Sequence, residues 1–217
     1  RVLSMQRNWL GKSYGAKVTF PVTIGRGGDQ VDVNVFTTRP DTLYGVEYLA
    51  LSLNHPIVLK AAEKDERLRK FLSDASSLAP DSKAGYRLSD IEVSHPLCKI
   101  DTETPHLLRK LPVFVAPYVL SDYGEGAVMG VPGHDTRDMM FFKENVKHDS
   151  IPVVIEAEPT SNEAISSVVP TSDAKAFTQE GFLTLRCGKY QGLHSREASK
   201  LIVNDLEQVG QAAFVES

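Results

Sequence analysis

The spacing of apolar and polar side chains predicts a strand-rich start to the chain. From Lys17 to Ile24 apolar residues alternate with polar ones, the mark of a strand with one buried face. Gly25-Arg26-Gly27-Gly28-Asp29 then turns the chain into a second alternating run, Val31 to Thr38, with Val31, Val33 and Val35 on one face. Together they predict a hairpin. Pro40 stops the second run because it has no N–H to give to a ladder. Pro56, a favoured first helical residue, opens a stretch in which Ile57, Ala61, Leu68, Phe71 and Leu72 recur at roughly helical spacing. The charged run Glu63 to Arg67 falls opposite, as a solvated face, and Ser73 to Gly85 is a loop of small residues.

In the second half, Leu111 to Leu120, Ala127 to Val131 and Ile151 to Ile155 predict buried strands. Met139, Met140, Phe141 and Phe142 predict the first buried turns of a helix beginning near Asp135. Ser195 is placed as the N-cap of a last helix that presents Ala198, Leu201, Ile202, Leu206 and Val209 and closes at Gly210. Between them, Glu156 to Lys175 is rich in Ser, Thr, Ala, Glu and Pro without a period, and is expected to be a mobile flap or surface loop. Short strands with helices between and after them predict one mixed α/β domain over residues 1–217. Periodicity does not decide between a closed barrel and an open sheet.

Composition narrows the function classes. Apolar residues make up 41% of the chain, enough for a sizeable core, while the longest apolar run, Val113 to Leu120, is broken by Pro117, so no membrane span is predicted. A start at Arg1 without a secretory pattern leads to the expectation of a soluble fragment of a longer protein. Against 28 acidic residues stand 24 basic ones, a net charge of −4. That is the wrong sign for a module that holds a polyanion by counterion release, so a nucleic-acid partner is expected to be held mainly elsewhere. Cys98 and Cys187 form no CxxC pair and imply no disulfide; His95, Cys98 and His106 cluster in sequence without a fourth zinc ligand, so no metal is expected.

Two stretches concentrate unusual residues. In Tyr123 to Asp138, YGEGAVMGVPGHDTRD, Gly124 and Gly126 imply a tight turn with positive φ before a short buried strand, and polar groups gather where that strand meets a helix. A plain helix start competes with a site here: Asp135 is a good N-cap and Asp138 could complete a capping-box-like pair. No Lys-Ser/Thr pair or βαβ dinucleotide spacing accompanies the glycines, which argues against a nucleotide triphosphate loop. In Thr37 to Gly45, TTRPDTLYG, two threonines and an arginine stand at a strand end before the proline, with Thr42 in the turn. Taken singly, the threonines are ordinary strand residues and Arg39 a surface ion-pair residue.

Together these stretches resemble the paired signatures of the editing domain inserted in class I aminoacyl-tRNA synthetases. Met129 to Asp138 looks like the leucyl enzyme of bacterial or organellar type. Asn8 to Ser13 and Gly181 to Leu206 are similar to the segments leading into and out of that insert, so the likeness covers essentially the whole chain. One departure is Glu125, where the family commonly has threonine, which bears on the charge of the rim. The resemblance implies a β-barrel-like core with flanking helices, and an ester hydrolase that clears mischarged tRNA(Leu) of isoleucine, norvaline, methionine or similar residues. Its partners would be the 3′-terminal adenosine of the aminoacyl-tRNA and the remainder of the synthetase, in bacterial cytoplasm or the mitochondrial matrix. The domain itself would use no cofactor, whereas its parent would use ATP and magnesium for aminoacylation. By the same resemblance Asp138 would hold the substrate's α-ammonium, and Thr37 and Thr38 would offer hydroxyls to the ribose, the water or the oxyanion. Thr42 would be a steric gate, Arg39 would steady nearby charge, and Tyr123, Met129, Val131, His134 and Asp135 would line the pocket. Two alternatives stay open: a valyl-type editing domain, and a non-catalytic RNA-binding or assembly domain on the same fold.

Overall fold

The structure is a computed structural model and describes residues 14–146, 148–159 and 168–216. The resemblance at Asn8 to Ser13 lies outside those residues, as does the middle of the expected flap. In chain order the elements are β1 (Tyr14–Ile24), β2 (Asp29–Thr37), β3 (Tyr48–Leu51), α1 (Pro56–Ala62), α2 (Glu66–Ala75), β4 (Tyr86–Val93), β5 (Leu111–Val115), β6 (Ala127–Gly130), α3 (Thr136–Asn145), β7 (Ser150–Pro152), β8 (Ile155–Glu156), β9 (Val168–Pro170), β10 (Phe182–Leu183), α4 (Ser195–Gln208) and β11 (Ala212–Glu216).

The main sheet runs β11-β1-β4-β5-β3-β6, with β2 also paired to β1. Its ladders are antiparallel except for β3 with β5. β2 and β6 pack against one another without a ladder, so the sheet curls into a barrel that is nearly closed and carries one open seam. β7 with β9, and β8 with β10, form two small sheets beside it.

The barrel interior is filled by alternate residues: Ala16, Val18, Phe20 and Val22 of β1, Val33 and Val35 of β2, Leu49 and Leu51 of β3, and Val113 and Val115 of β5. The opposite faces of β3 and β5 are buried too. Tyr48, Ala50 and Phe114 pack there with Met139, Phe141 and Phe142 of α3 and with Ile151. Strands covered on both faces carry continuous apolar runs rather than alternation, which is why these segments showed no period of two.

Several boundaries differ from expectation for identifiable reasons. The helix starting at Pro56 is two helices, because Asp65 caps a new start by accepting from the N–H groups of Arg67 and Leu68 at 3.0 and 3.1 Å. The strand from Leu111 ends at Val115, and Leu120 is exposed. Ile151 to Ile155 is split, since the Val154 backbone bonds to His134 Nε2 and to the Thr184 N–H instead of to a strand. Val31 lies near the hairpin tip and is exposed, as are Met140, Leu201 and Val209; α4 buries Ala198, Ile202, Val203 and Leu206 instead. His194, not Ser195, caps that helix, while Ser195 Oγ bonds the backbone of Gly181. β4 shows no strand period in the sequence because a register shift between Arg87 and Glu92 breaks its alternation, leaving Leu88, Ile91 and Val93 buried at uneven spacing.

Candidate active site

Both singled-out stretches end at the open seam. β2 delivers Phe36 and Thr37, and the chain then bends through Thr38 and Arg39 into a short 3-10 turn over Pro40–Gly45. Opposite, the turn before β6 places three successive residues in the left-handed region: Gly124 at φ 57°, Glu125 at 60° and Gly126 at 75°. Glycine accepts that conformation freely, and Glu125 does not. It is held there by Asn34 Nδ2 at 3.1 Å and by an ion pair with Lys17. The departure from the family therefore points to β1 and β2 with its charge paired.

A cavity of about 180 Å³ lies between these walls. All ten residues singled out from the sequence border it: Thr37, Thr38, Arg39, Thr42, Tyr123, Met129, Val131, His134, Asp135 and Asp138. So do Phe36, Val128 and Arg137. Phe36 meets Tyr123 edge to face at 5.8 Å between centroids, bracing the exposed tyrosine at the rim.

Each side chain is positioned by a specific contact. Thr37 Oγ1 accepts from the Arg39 N–H at 3.0 Å. The Arg39 guanidinium grips both carboxylate oxygens of Asp41 and also donates to the carbonyls of Thr178 and Gln179. Asp41 is almost fully buried; it was missed in the sequence, where only an arginine two residues away hints at the pair. The Thr42 hydroxyl donates to the Arg39 carbonyl at 2.8 Å, which fixes the rotamer of this buried side chain.

His134 has both ring nitrogens engaged by backbone: Nδ1 lies 2.8 Å from the Phe177 carbonyl and Nε2 accepts from the Val154 N–H at 3.0 Å. Burial lowers its pKa to about 4, so it is neutral at pH 7 with the proton on Nδ1. It braces a wall and has no nitrogen left to move a proton. His95 is similarly engaged, by the Leu43 carbonyl and the Leu97 N–H, and Cys98 Sγ donates to the Leu107 carbonyl.

The two aspartates at the start of α3 make different contacts. Asp135 is the cap, its carboxylate accepting from the Asp138 N–H at 2.9 Å. The Asp138 carboxylate makes no reciprocal box. It turns back to the chain just past β6, with Oδ2 accepting from the Val131 N–H at 2.9 Å and Oδ1 lying 3.4 Å from Tyr48 Oη. Tyr48 Oη is in turn 3.1 Å from Tyr118 Oη, and the Arg137 guanidinium sits 4.9 Å from the centre of the Tyr118 ring. Asp138 is 6% exposed and joins no salt bridge among the described residues. Burial, reinforced by the nearby Asp135 charge, raises its pKa to about 7. Tyr48 and Tyr118 were invisible as site supports in the sequence, because their strand and loop lie far from Asp138 along the chain.

A family model described as leucyl-tRNA synthetase, editing domain, matches residues 7–207. This chain belongs to the leucyl-tRNA synthetase editing-domain family. The mitochondrial leucine–tRNA ligase of Saccharomyces paradoxus is 39% identical over 96% of this chain. The leucine–tRNA ligase of Pseudomonas aeruginosa is 38% identical over 97% of it. Either match spans only 23% of the relative's length. Among solved structures, the ternary complex of Agrobacterium radiobacter K84 agnB2 LeuRS with tRNA and LeuAMS aligns with all of this chain and 21% of its own, at a TM-score of 0.59 and 25% identity. The editing-domain family thus accounts for the whole fold, and the leucyl relatives stand in place of the valyl alternative. No helix among the described residues is long and apolar enough to cross a membrane.

Proposed function

We propose that this editing domain hydrolyses the aminoacyl ester of mischarged tRNA(Leu), within a parent leucyl-tRNA synthetase of bacterial or mitochondrial type. The observation that carries the proposal is Asp138. A buried carboxylate beside a cavity that joins no salt bridge among the described residues is costly unless a cation arrives, and the α-ammonium of an aminoacyl ester is such a cation. A second hydrolytic site is needed on physical grounds, because a hydrophobic synthetic pocket separates near-isosteric side chains by only about 1–3 kcal/mol.

In this reading Asp138 fixes the ammonium, and Thr37 and Thr38 offer hydroxyls to the terminal ribose, the attacking water and the developing oxyanion. Arg39 and Asp41 lock the bend that presents those threonines. Thr42 bounds the side-chain pocket, its hydroxyl tied to backbone, while Tyr123, Met129, Val131, His134 and Asp135 complete the walls around the amino acid and adenosine. Water adds to the ester carbonyl, and collapse of the tetrahedral intermediate breaks the bond to the ribose oxygen. The products are a free amino acid and tRNA with its terminal hydroxyl restored. An aminoacyl ester is already reactive, so positioning carries the rate and no covalent nucleophile is required. Neither cysteine borders the cavity, and burial raises the Cys187 thiol pKa.

The test is release of labelled isoleucine, norvaline or methionine from tRNA(Leu) by the full-length synthetase. Asp138→Ala, and separately Thr37→Val with Thr38→Val, should let mischarged tRNA accumulate while aminoacylation with leucine continues. Unchanged deacylation by both variants would leave the non-catalytic alternative standing.

A further inference from the structure

A second, larger depression of about 420 Å³ opens at the opposite end of α3 from Asp138. Arg87, Arg109 and Lys110 wall it together with His148 and the last residue of α3, Asn145, and Glu47 lies at its base. We propose that this cleft binds a phosphodiester of the tRNA backbone, giving the domain a hold on its substrate away from the amino-acid pocket. The proposal rests on the reading of the chain as a tRNA deacylase.

Two of the cations are already oriented. Arg109 is ion-paired to the almost fully buried Glu47, which fixes its guanidinium at the wall, and Lys110 Nζ donates to Ser94 Oγ at 2.6 Å. Arg87 takes part in none of the salt bridges among the described residues. Half-buried Arg186 adds its field near Glu47 and Arg109, and its Nε has no hydrogen-bond partner among the described residues.

The local balance of charge opposes that of the chain as a whole. Three full positive charges line a cleft that contains one carboxylate. The carboxyl end of α3 contributes roughly half a negative charge more, too little to reverse the sign. The net charge of −4 is therefore unevenly spread, and this cleft is a place where an anion is attracted. Geometry sets the class of anion. The cleft is open and polar, suited to a phosphate on a strand passing over the surface. A helix of ten residues is about 15 Å long, so a nucleic acid end seated by the Asp138 pocket at one end of α3 has its preceding phosphates within reach of the other.

The test uses the full-length synthetase carrying Arg87→Gln together with Lys110→Gln; Arg109 is left in place so that Glu47 keeps its partner. Two substrates separate the sites: mischarged tRNA(Leu), and an isoleucyl ester of adenosine, which has no phosphate. The expected result is a KM for tRNA raised about tenfold, a dependence of log KM on log salt shallower by about one unit per lost contact, and unchanged hydrolysis of the adenosine ester. Equal KM and salt slope in parent and variant would overturn the proposal, and so would equal loss on both substrates. Direct tRNA binding, followed by fluorescence anisotropy against salt, keeps the test independent of catalysis. A binding slope shallower in the variant than in the parent, in an enzyme whose parent form hydrolyses neither substrate, would uphold the cleft and reject the editing reading. If the variant instead loses only affinity for inorganic phosphate while tRNA binding is untouched, the occupant is a free anion and the backbone assignment fails.

Discussion

Replacing Asp138 by asparagine should make the domain more stable and less active, and the size of the first effect follows from the structure. The side chain is 6% exposed and its pKa is raised from 3.8 to about 7, chiefly by burial. An elevation of about three units corresponds to at most about 4 kcal/mol, at 1.36 kcal/mol per unit. Asparagine still buries an amide whose N–H groups must find acceptors, which offsets part of that gain and leaves an expected difference of about 2 kcal/mol. The sign is opposite to that of a paired carboxylate. Below about pH 3 the group is protonated in both states and costs nothing. Between about pH 4 and 7 the unfolded chain ionises first, so the folded state loses stability as pH rises, and above about pH 7 the loss is complete. Asparagine keeps an oxygen for the Val131 N–H but cannot ionise. Urea unfolding of the chain by far-UV circular dichroism should therefore show a gap between variant and parent that is near zero at about pH 3 and reaches about 2 kcal/mol at about pH 8. The difference between proteins is the readout, because His134, with its pKa lowered to about 4, shifts the parent's own profile the other way over the same window. In the full-length enzyme the same change should slow deacylation at pH 7.5 by roughly 10- to 150-fold, the equivalent of about 1.5–3 kcal/mol for a hydrogen bond to a charge. A variant that is destabilised at high pH, or that gains equally at every pH, would refute the buried and unpaired carboxylate. Normal deacylation would refute the ammonium role.

Thr42→Ala should open the volume that the fixed threonine rotamer occupies, so that correctly charged leucyl-tRNA becomes a substrate, whereas Thr42→Tyr should fill the pocket and block deacylation of isoleucine and norvaline as well. Labelled amino-acid release from each tRNA checks both, and an alanine variant that spares leucyl-tRNA would remove Thr42 as the gate. Gly130→Ala should cost about 3 kcal/mol or more, since an added Cβ would lie 2.1 Å from the Tyr48 ring that supports Asp138; a midpoint in urea close to that of the parent would contradict this packing. Lys17→Met removes the ion-pair partner of Glu125 on an exposed face and should change stability by under about 1 kcal/mol, with deacylation retained.

The sequence by itself determined where local rules act alone. Alternation placed the β1 and β2 hairpin, the glycines at 124 and 126 announced positive φ, and Asp135 was legible as a cap because capping depends on three or four adjacent residues. The residues that border the candidate cavity could be picked out too, but only as two motifs carried by family resemblance; nothing local shows that Thr37 and Asp138, 101 positions apart, face one cavity. Tertiary structure decided that by curling the sheet until β2 and β6 meet without pairing. It also decided which aspartate does what. Local rules name Asp135 as the cap and leave Asp138 as either its box partner or a site residue; Asp138 turns inward because Tyr48 lies against it, where a charge is costly, and the Val131 N–H just past β6 is within reach. β4, whose bulge breaks its period, and Tyr48, which reaches Asp138 across the buried outer face of the sheet, depend on contacts distant in the chain. Burial and pairing of that kind have no period for a sequence to display.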